Sequence, residues 1–263
     1  MKPTNSLPFS ELLKSNQKYF FLFKLAYCLL LIWGVWVYGI GYDYFNLLKG
    51  ADISSVPFYF RCAITAFAVL AAFNILSKLS LSLLTLTWCS YEFIYASGLQ
   101  VFSTNICVGV LILMLIKTFQ KESEDSFKNS VQFFKSILAL LSVSYLCAAL
   151  SKIVISGFDW LNGNVLQAYF FESTFLKPAA WKTTVSDNPW IFLVFAGIVL
   201  FWEASFACVL LNDKKIKYFF FLSGLIFHWF ILTALGPNFF LYFMPCYLAF
   251  IPFFVDERFN ESN

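Results

Sequence analysis

The chain has 263 residues, 60% hydrophobic, 21% aromatic and only 13% charged, with a mean hydropathy of +0.74. Soluble domains carry roughly 25% charged residues, so this composition indicates an integral membrane protein and leaves no stretch long enough for a separate soluble domain. The net charge of +3 is small and dispersed, which argues against nucleic-acid binding.

In chain order, a polar, Lys-containing lead (1–18) precedes the first apolar run. No small-residue cleavage pattern follows that run, so it is expected to persist as a helix rather than be removed as a signal peptide. A helix needs ~20 mainly apolar residues to cross the hydrocarbon core. Apolar runs predict eight spans, at about 19–40, 57–77, 79–98, 100–118, 131–155, 189–212, 217–236 and 238–255. The stretch 79–118 is broken only by "ASGLQ" and reads either as two spans or as one long helix with a re-entrant piece. The expected fold is therefore all-α, a polytopic transmembrane helix bundle of about eight spans. Its parts are a cytoplasmic lead (1–18), a membrane domain (19–255) and a cytoplasmic tail (256–263).

The distribution of Lys and Arg supports this order of sides. With the N-terminus cytoplasmic, the inner segments hold Lys2, Lys14, Lys18, Lys78, Lys117, Lys121, Lys128, Lys214, Lys215, Lys217 and Arg258, whereas the outer loops hold only Lys49, Lys177 and Lys182. Both termini are then cytoplasmic, and the expected location is the inner (cell) membrane. Two outer loops have substance, 41–56 and 156–188. The second carries Asp159 and Trp160, and Trp160, Trp181 and, just beyond the loop, Trp190 are candidates for an aromatic belt at headgroup level.

Seven cysteines (Cys28, Cys62, Cys89, Cys107, Cys147, Cys208 and Cys246) fall singly in apolar segments and read as small buried residues. With a single histidine and no clustered thiolates or carboxylates, no metal is expected.

Four basic residues remain inside the expected spans: Lys24, Arg61, Lys135 and Lys152. Lys24 and Lys135 lie within about a turn and a half of the inner boundary and can snorkel. Arg61 is near the outer end of its span, where it can snorkel or clamp a carboxylate or ligand headgroup. Lys152, near the outer end of the fifth span, can also snorkel. Glu92, Glu203 and His228 are harder to accommodate. Glu203 is about fourteen residues into its span, ~21 Å of helix rise, and His228 is near mid-span. Groups at such depth must pair, stay neutral or line a wet cavity. A Glu203–His228 pair or shared water network is compatible with their levels, as is a neutral His228 bonded to a carbonyl or a Tyr.

Three stretches carry a family resemblance: "YLCAALSKIVISGFDWLNG", beginning at Tyr145, "LFWEASFACVLLNDKKIKYFFFLSGLIFHWFI", and "FFLYFMPCYLAFIP". Their order resembles the HTTM (horizontally transferred transmembrane) domain, the membrane domain shared by vitamin K-dependent γ-carboxylase and bacterial relatives. The resemblance covers roughly 140–255 and is weaker in the first half. It implies that Lys152 matches the lysine base that acts on vitamin K, and that this end of the domain faces outward. A lysine acting as a base must present a neutral amine, which an apolar setting favours. Two departures count against full carboxylation: Asn105 stands where the carboxylase has a further histidine, and the large luminal domain has no counterpart here.

The leading expectation is a bacterial-type membrane protein that modifies or matures a small secreted peptide, or acts on a quinone-like lipid. Lys152 would be the base, and Glu203, His228, Arg61, Glu92 and Tyr145 the supporting polar network. The alternative is a non-enzymatic module, an immunity or assembly partner of another membrane protein or a lipid or quinone binder, whose polar residues only pair helices. A transporter is weaker still, because no paired Gly/Pro interruptions occur in the two halves.

Overall fold

The computed structural model describes residues 17–37, 58–95, 102–120, 126–172, 188–231 and 240–261. Among these residues the chain is all-helical, with no strand. A helix satisfies its backbone N–H and C=O groups internally, which suits a chain this apolar.

The helices are α1 (Lys18–Val37), α2 (Phe58–Ala72), α3 (Ser77–Tyr95), α4 (Phe102–Phe119), α5 (Ser126–Ser156), α6 (Phe158–Leu161), α7 (Asn164–Glu172), α8 (Trp190–Ser205), α9 (Lys214–Phe230), α10 (Phe240–Tyr247), α11 (Ile251–Val255) and α12 (Arg258–Glu261). A 3₁₀ turn, Phe206–Leu210, prolongs α8, and another, Leu248–Phe250, joins α10 to α11. Each of the eight apolar stretches holds a helix. Among the described residues three are long and apolar enough to cross a membrane: Lys18–Trp36, Phe127–Ser156 and Trp190–Leu210. Phe58–Ala72, Ile106–Phe119 and Phe243–Val255 are apolar but shorter.

The chain divides into two compact units, residues 1–137 with 241–263, and residues 138–240. In the first, α1 packs on α2, α2 on α3, and α3 on α4. The stretch 79–118 is thus two helices packed on each other. Helix α5 begins earlier than its apolar run because its first turns are amphipathic. Val131, Phe133 and Phe134 are buried while Lys128 and Gln132 stay exposed, and Phe20 and Phe23 meet Phe133 edge to face at 5.0 and 5.5 Å.

Helix α2 stops at Ala72, short of the expected residue 77. Asn74 and Leu76 adopt positive φ of 60° and 48°, a region that Asn tolerates and Leu rarely enters. The Lys24 ammonium holds this turn by donating to the side chains of Asn74 and Ser77. Lys24, expected to snorkel, is instead 1% exposed, because the turn supplies two acceptors within reach.

Candidate functional site

The second unit concentrates its polar residues on three helix stripes. Along α5, Tyr145, Ala149 and Lys152 recur at i, i+4 and i+7 and share a face. Phe192, Ala196, Leu200 and Glu203, at i, i+4, i+8 and i+11, share a face of α8, and Lys217, Phe220, Gly224 and His228, at i, i+3, i+7 and i+11, share one of α9. The helical period that buries the apolar members carries the polar ones inward with them.

The α5 and α8 stripes meet in an ion pair. Lys152 Nζ donates to both carboxylate oxygens of Glu203, at 2.6 and 2.7 Å, and lies 3.5 Å from the carbonyl of Ala148. The lysine side chain keeps 20% exposure and the glutamate only 6%. The ammonium also sits 5.2 Å above the centre of the Trp160 ring, within cation–π range.

Glu203 lies about 20 Å of helix rise beyond Trp190, whereas Lys152 is only about 6 Å short of Ser156. Their contact requires the end of α5 to lie well below the start of α8, and α6 and α7 pack along α8 in the interval. Gly157, at φ +55°, turns the chain out of α5. Gly163, at φ +79°, is pressed against α8 so closely that a Cβ would lie 2.5 Å from the carbonyl carbon of Phe192. Trp160, Leu166, Phe170, Phe192, Ala196, Leu200 and Ala149 form one buried apolar cluster beside the pair.

A second polar contact joins Tyr145 to His228, with the hydroxyl 2.5 Å from Nε2. Trp202 and Phe206 close on the Tyr145 ring at 5.0 and 4.4 Å, and Trp202 Nε1 donates to Ser223 at 2.8 Å.

Most residues singled out by sequence are therefore brought together, but in different pairs. Glu203 takes Lys152, and His228 takes Tyr145, so the Glu203–His228 pair does not form. Lys152 does not snorkel, because α8 presents a carboxylate at its level. Trp160 is 6% exposed, under the ammonium rather than in a belt, whereas Trp190 is 62% exposed; Trp181 lies outside the described residues. Asp159 is exposed on α6. Arg61 is half-buried in the first unit. Glu92 belongs to α3, but its side chain lies outside the described residues, as does that of Asn105.

Lys217, counted as an inner-loop charge, is buried at 1% exposure and donates to the carbonyl of Leu211, where the 3₁₀ turn ends. Asp213 caps α9 by accepting from Lys215 N at 2.7 Å and Ile216 N at 3.4 Å. Among the described residues no group of three or more His, Cys, Asp or Glu is placed to hold a metal ion.

No family model matches the chain, and no curated protein or solved structure is similar to it.

Proposed function

We propose that the chain is a multi-pass protein of the inner membrane, with eight spans and cytoplasmic termini, in which the Lys152–Glu203 pair takes a proton from a weakly acidic substrate. The observation that carries the reading is the pair itself: a lysine held by both oxygens of a buried carboxylate, with the lysine the more accessible member. The likeness of "YLCAALSKIVISGFDWLNG" to the HTTM pattern, in which this lysine is the base, supports it.

The step balances without another reactant. A substrate O–H or C–H bond breaks and its proton passes to the pair, at Nζ from the amine–carboxylic acid tautomer or at Glu203 from the ammonium–carboxylate tautomer. Either route leaves an ammonium, a carboxylic acid and a substrate anion, with the ammonium placed to neutralise the anion. The substrate classes that fit are a quinol-type lipid and a small secreted peptide under maturation.

A second reading has its own observation. Glu203 and the Ala148 carbonyl together accept from the ammonium, as in a closed brace that only joins α5 to α8. This would suit an immunity partner, an assembly partner or a lipid binder. Membrane-sided labelling separates the two. An impermeant amine reagent should modify Lys152 from the outer face, with Lys152→Arg as the control that removes the modified peptide. Protection of Lys152 in wild type, relieved only by Glu203→Gln, would favour the brace. Modification from the cytoplasmic side would overturn the topology.

A further inference from the structure

Helix α6 is held in place by one side chain. Of its four residues, Phe158, Asp159 and Leu161 are exposed, and only Trp160 is buried, at 6%. The Trp160 ring centre lies 5.2 Å from the Lys152 ammonium, so α6 covers one side of the Lys152–Glu203 pair. The seat is incomplete. The indole Nε1–H is buried and has no hydrogen-bond partner among the described residues. A buried donor left unmet is costly, and lifting the indole into polar surroundings recovers that cost.

A glycine at positive φ stands at either end of α6. Gly157, at φ +55° and ψ −134°, has no atom within 4 Å of where a Cβ would stand, and no side chain caps the helix there. Its own N–H donates to the Ile153 carbonyl at 3.0 Å, which closes α5 and leaves α6 untied. Gly163, at φ +79°, is instead pressed on the Phe192 backbone. From it α7 packs along α8 with Leu166 and Phe170 buried. Glycine passes through backbone conformations closed to other residues, and a few such terminal positions are enough to form a hinge. One end of α6 is free to turn, the other is fixed, and a single buried anchor lies between them.

Resting on the reading of Lys152–Glu203 as a reactive site, we infer that α6 is its lid. The segment 158–162 swings about Gly157 with Gly163 as the fixed end, Trp160 leaves the ammonium, and the covered side of Lys152 opens to a reactant. Closed, the ring shields the pair; open, the indole N–H gains an acceptor.

The test uses the full chain in lipid nanodiscs and needs no substrate. Two rates read the lid: acetylation of Lys152 by sulfosuccinimidyl acetate, followed by mass spectrometry, and deuterium exchange of the Trp160 indole N–H, followed by its ¹⁵N signal and assigned with Trp160→Phe. Gly157→Ala meets open space but disfavours the closed φ. It should raise the open population, and both rates together, by about fivefold, while the backbone amides of α7 exchange as in wild type.

If Lys152 acetylates in Gly157→Ala at the wild-type rate, whether or not the indole exchanges faster, α6 does not gate the pair; the lid is overturned and the site survives. Equal acceleration of the α7 amides would mean that the whole 157–172 segment unfolds, and would overturn the lid as well. If Lys152 resists acetylation in wild type and in Gly157→Ala and yields only in Glu203→Gln, the pair is a brace and both readings fall.

Discussion

Replacing Lys152 by Met strands the Glu203 carboxylate at 6% exposure. At an effective dielectric of ~20, two unit charges at hydrogen-bonding distance attract by about 6 kcal/mol. Removing one partner of a buried pair typically costs about 3–5 kcal/mol, because the other charge loses its compensation. Glu203→Leu should cost less, because the lysine side chain keeps 20% exposure and its stem can carry the ammonium outward. Removing both charges, in Lys152→Met with Glu203→Leu, should return stability to within about 1 kcal/mol of wild type, since apolar replacement of a buried pair is often neutral. Equilibrium unfolding in mixed micelles, followed by helical circular dichroism, gives all four corners of the cycle, and the coupling energy should exceed about 3 kcal/mol. If the double variant loses the sum of the single losses, the two groups do not act as a pair and the reasoning fails.

Tyr145→Phe removes the hydroxyl bonded to His228 at 2.5 Å and should destabilise the protein by about 1–3 kcal/mol, the cost of leaving a buried group unpaired; an unchanged unfolding midpoint would refute the contact. Gly163→Ala should disrupt α6 and α7, because the added Cβ meets the Phe192 backbone at 2.5 Å. Gly157→Ala, also at positive φ but with open space around it, should cost only about 1 kcal/mol; proteolysis of the 157–172 segment in each variant compares them. Beyond the last apolar stretch, hydrogen bonds from Arg258 at 2.7 and 2.9 Å hold the Asp256 carboxyl below its usual range. Because the folded value lies below the unfolded one, its contribution is present above the ordinary carboxylate value of ~3.9 and is lost as pH falls through the folded value. A ¹³C-carboxyl titration should show the Asp256 midpoint rising in Arg258→Gln; an unmoved midpoint would refute the cause.

Apolar run length was enough to foresee a helix in each of the eight apolar runs, but not α6, α7 or α12, which lie in segments read as an outer loop and a tail. Charges within those runs were equally visible, which is why Lys152, Glu203 and His228 stood out. Their partners were not. Reading Lys152 as a terminal residue assumed that helix ends share a level, and only the descent of α8 past α6 and α7 brings Glu203 down to it. Nothing local signals that Asn74 and Ser77 would receive Lys24, because that contact depends on a turn whose positive φ at Leu76 runs against propensity. Trp160 looked like a belt residue because it falls in the stretch 156–188 read as an outer loop. The small residues Ala149 and Ala196, which join it in one buried cluster, were the available hint.

The most direct test of Lys152–Glu203 as a proton acceptor is optical. In anaerobic nanodiscs at neutral pH, 2,3-dimethyl-1,4-naphthoquinol should acquire the absorption of its anion with wild type. Starting from the ammonium–carboxylate pair, the infrared difference spectrum should gain a carboxylic-acid C=O band that Glu203→Gln removes, and the folded double variant should produce neither. If the quinol stays neutral in wild type, or ionises equally with Lys152→Met, Glu203→Leu, the pair is a brace between helices and the proposed chemistry is wrong.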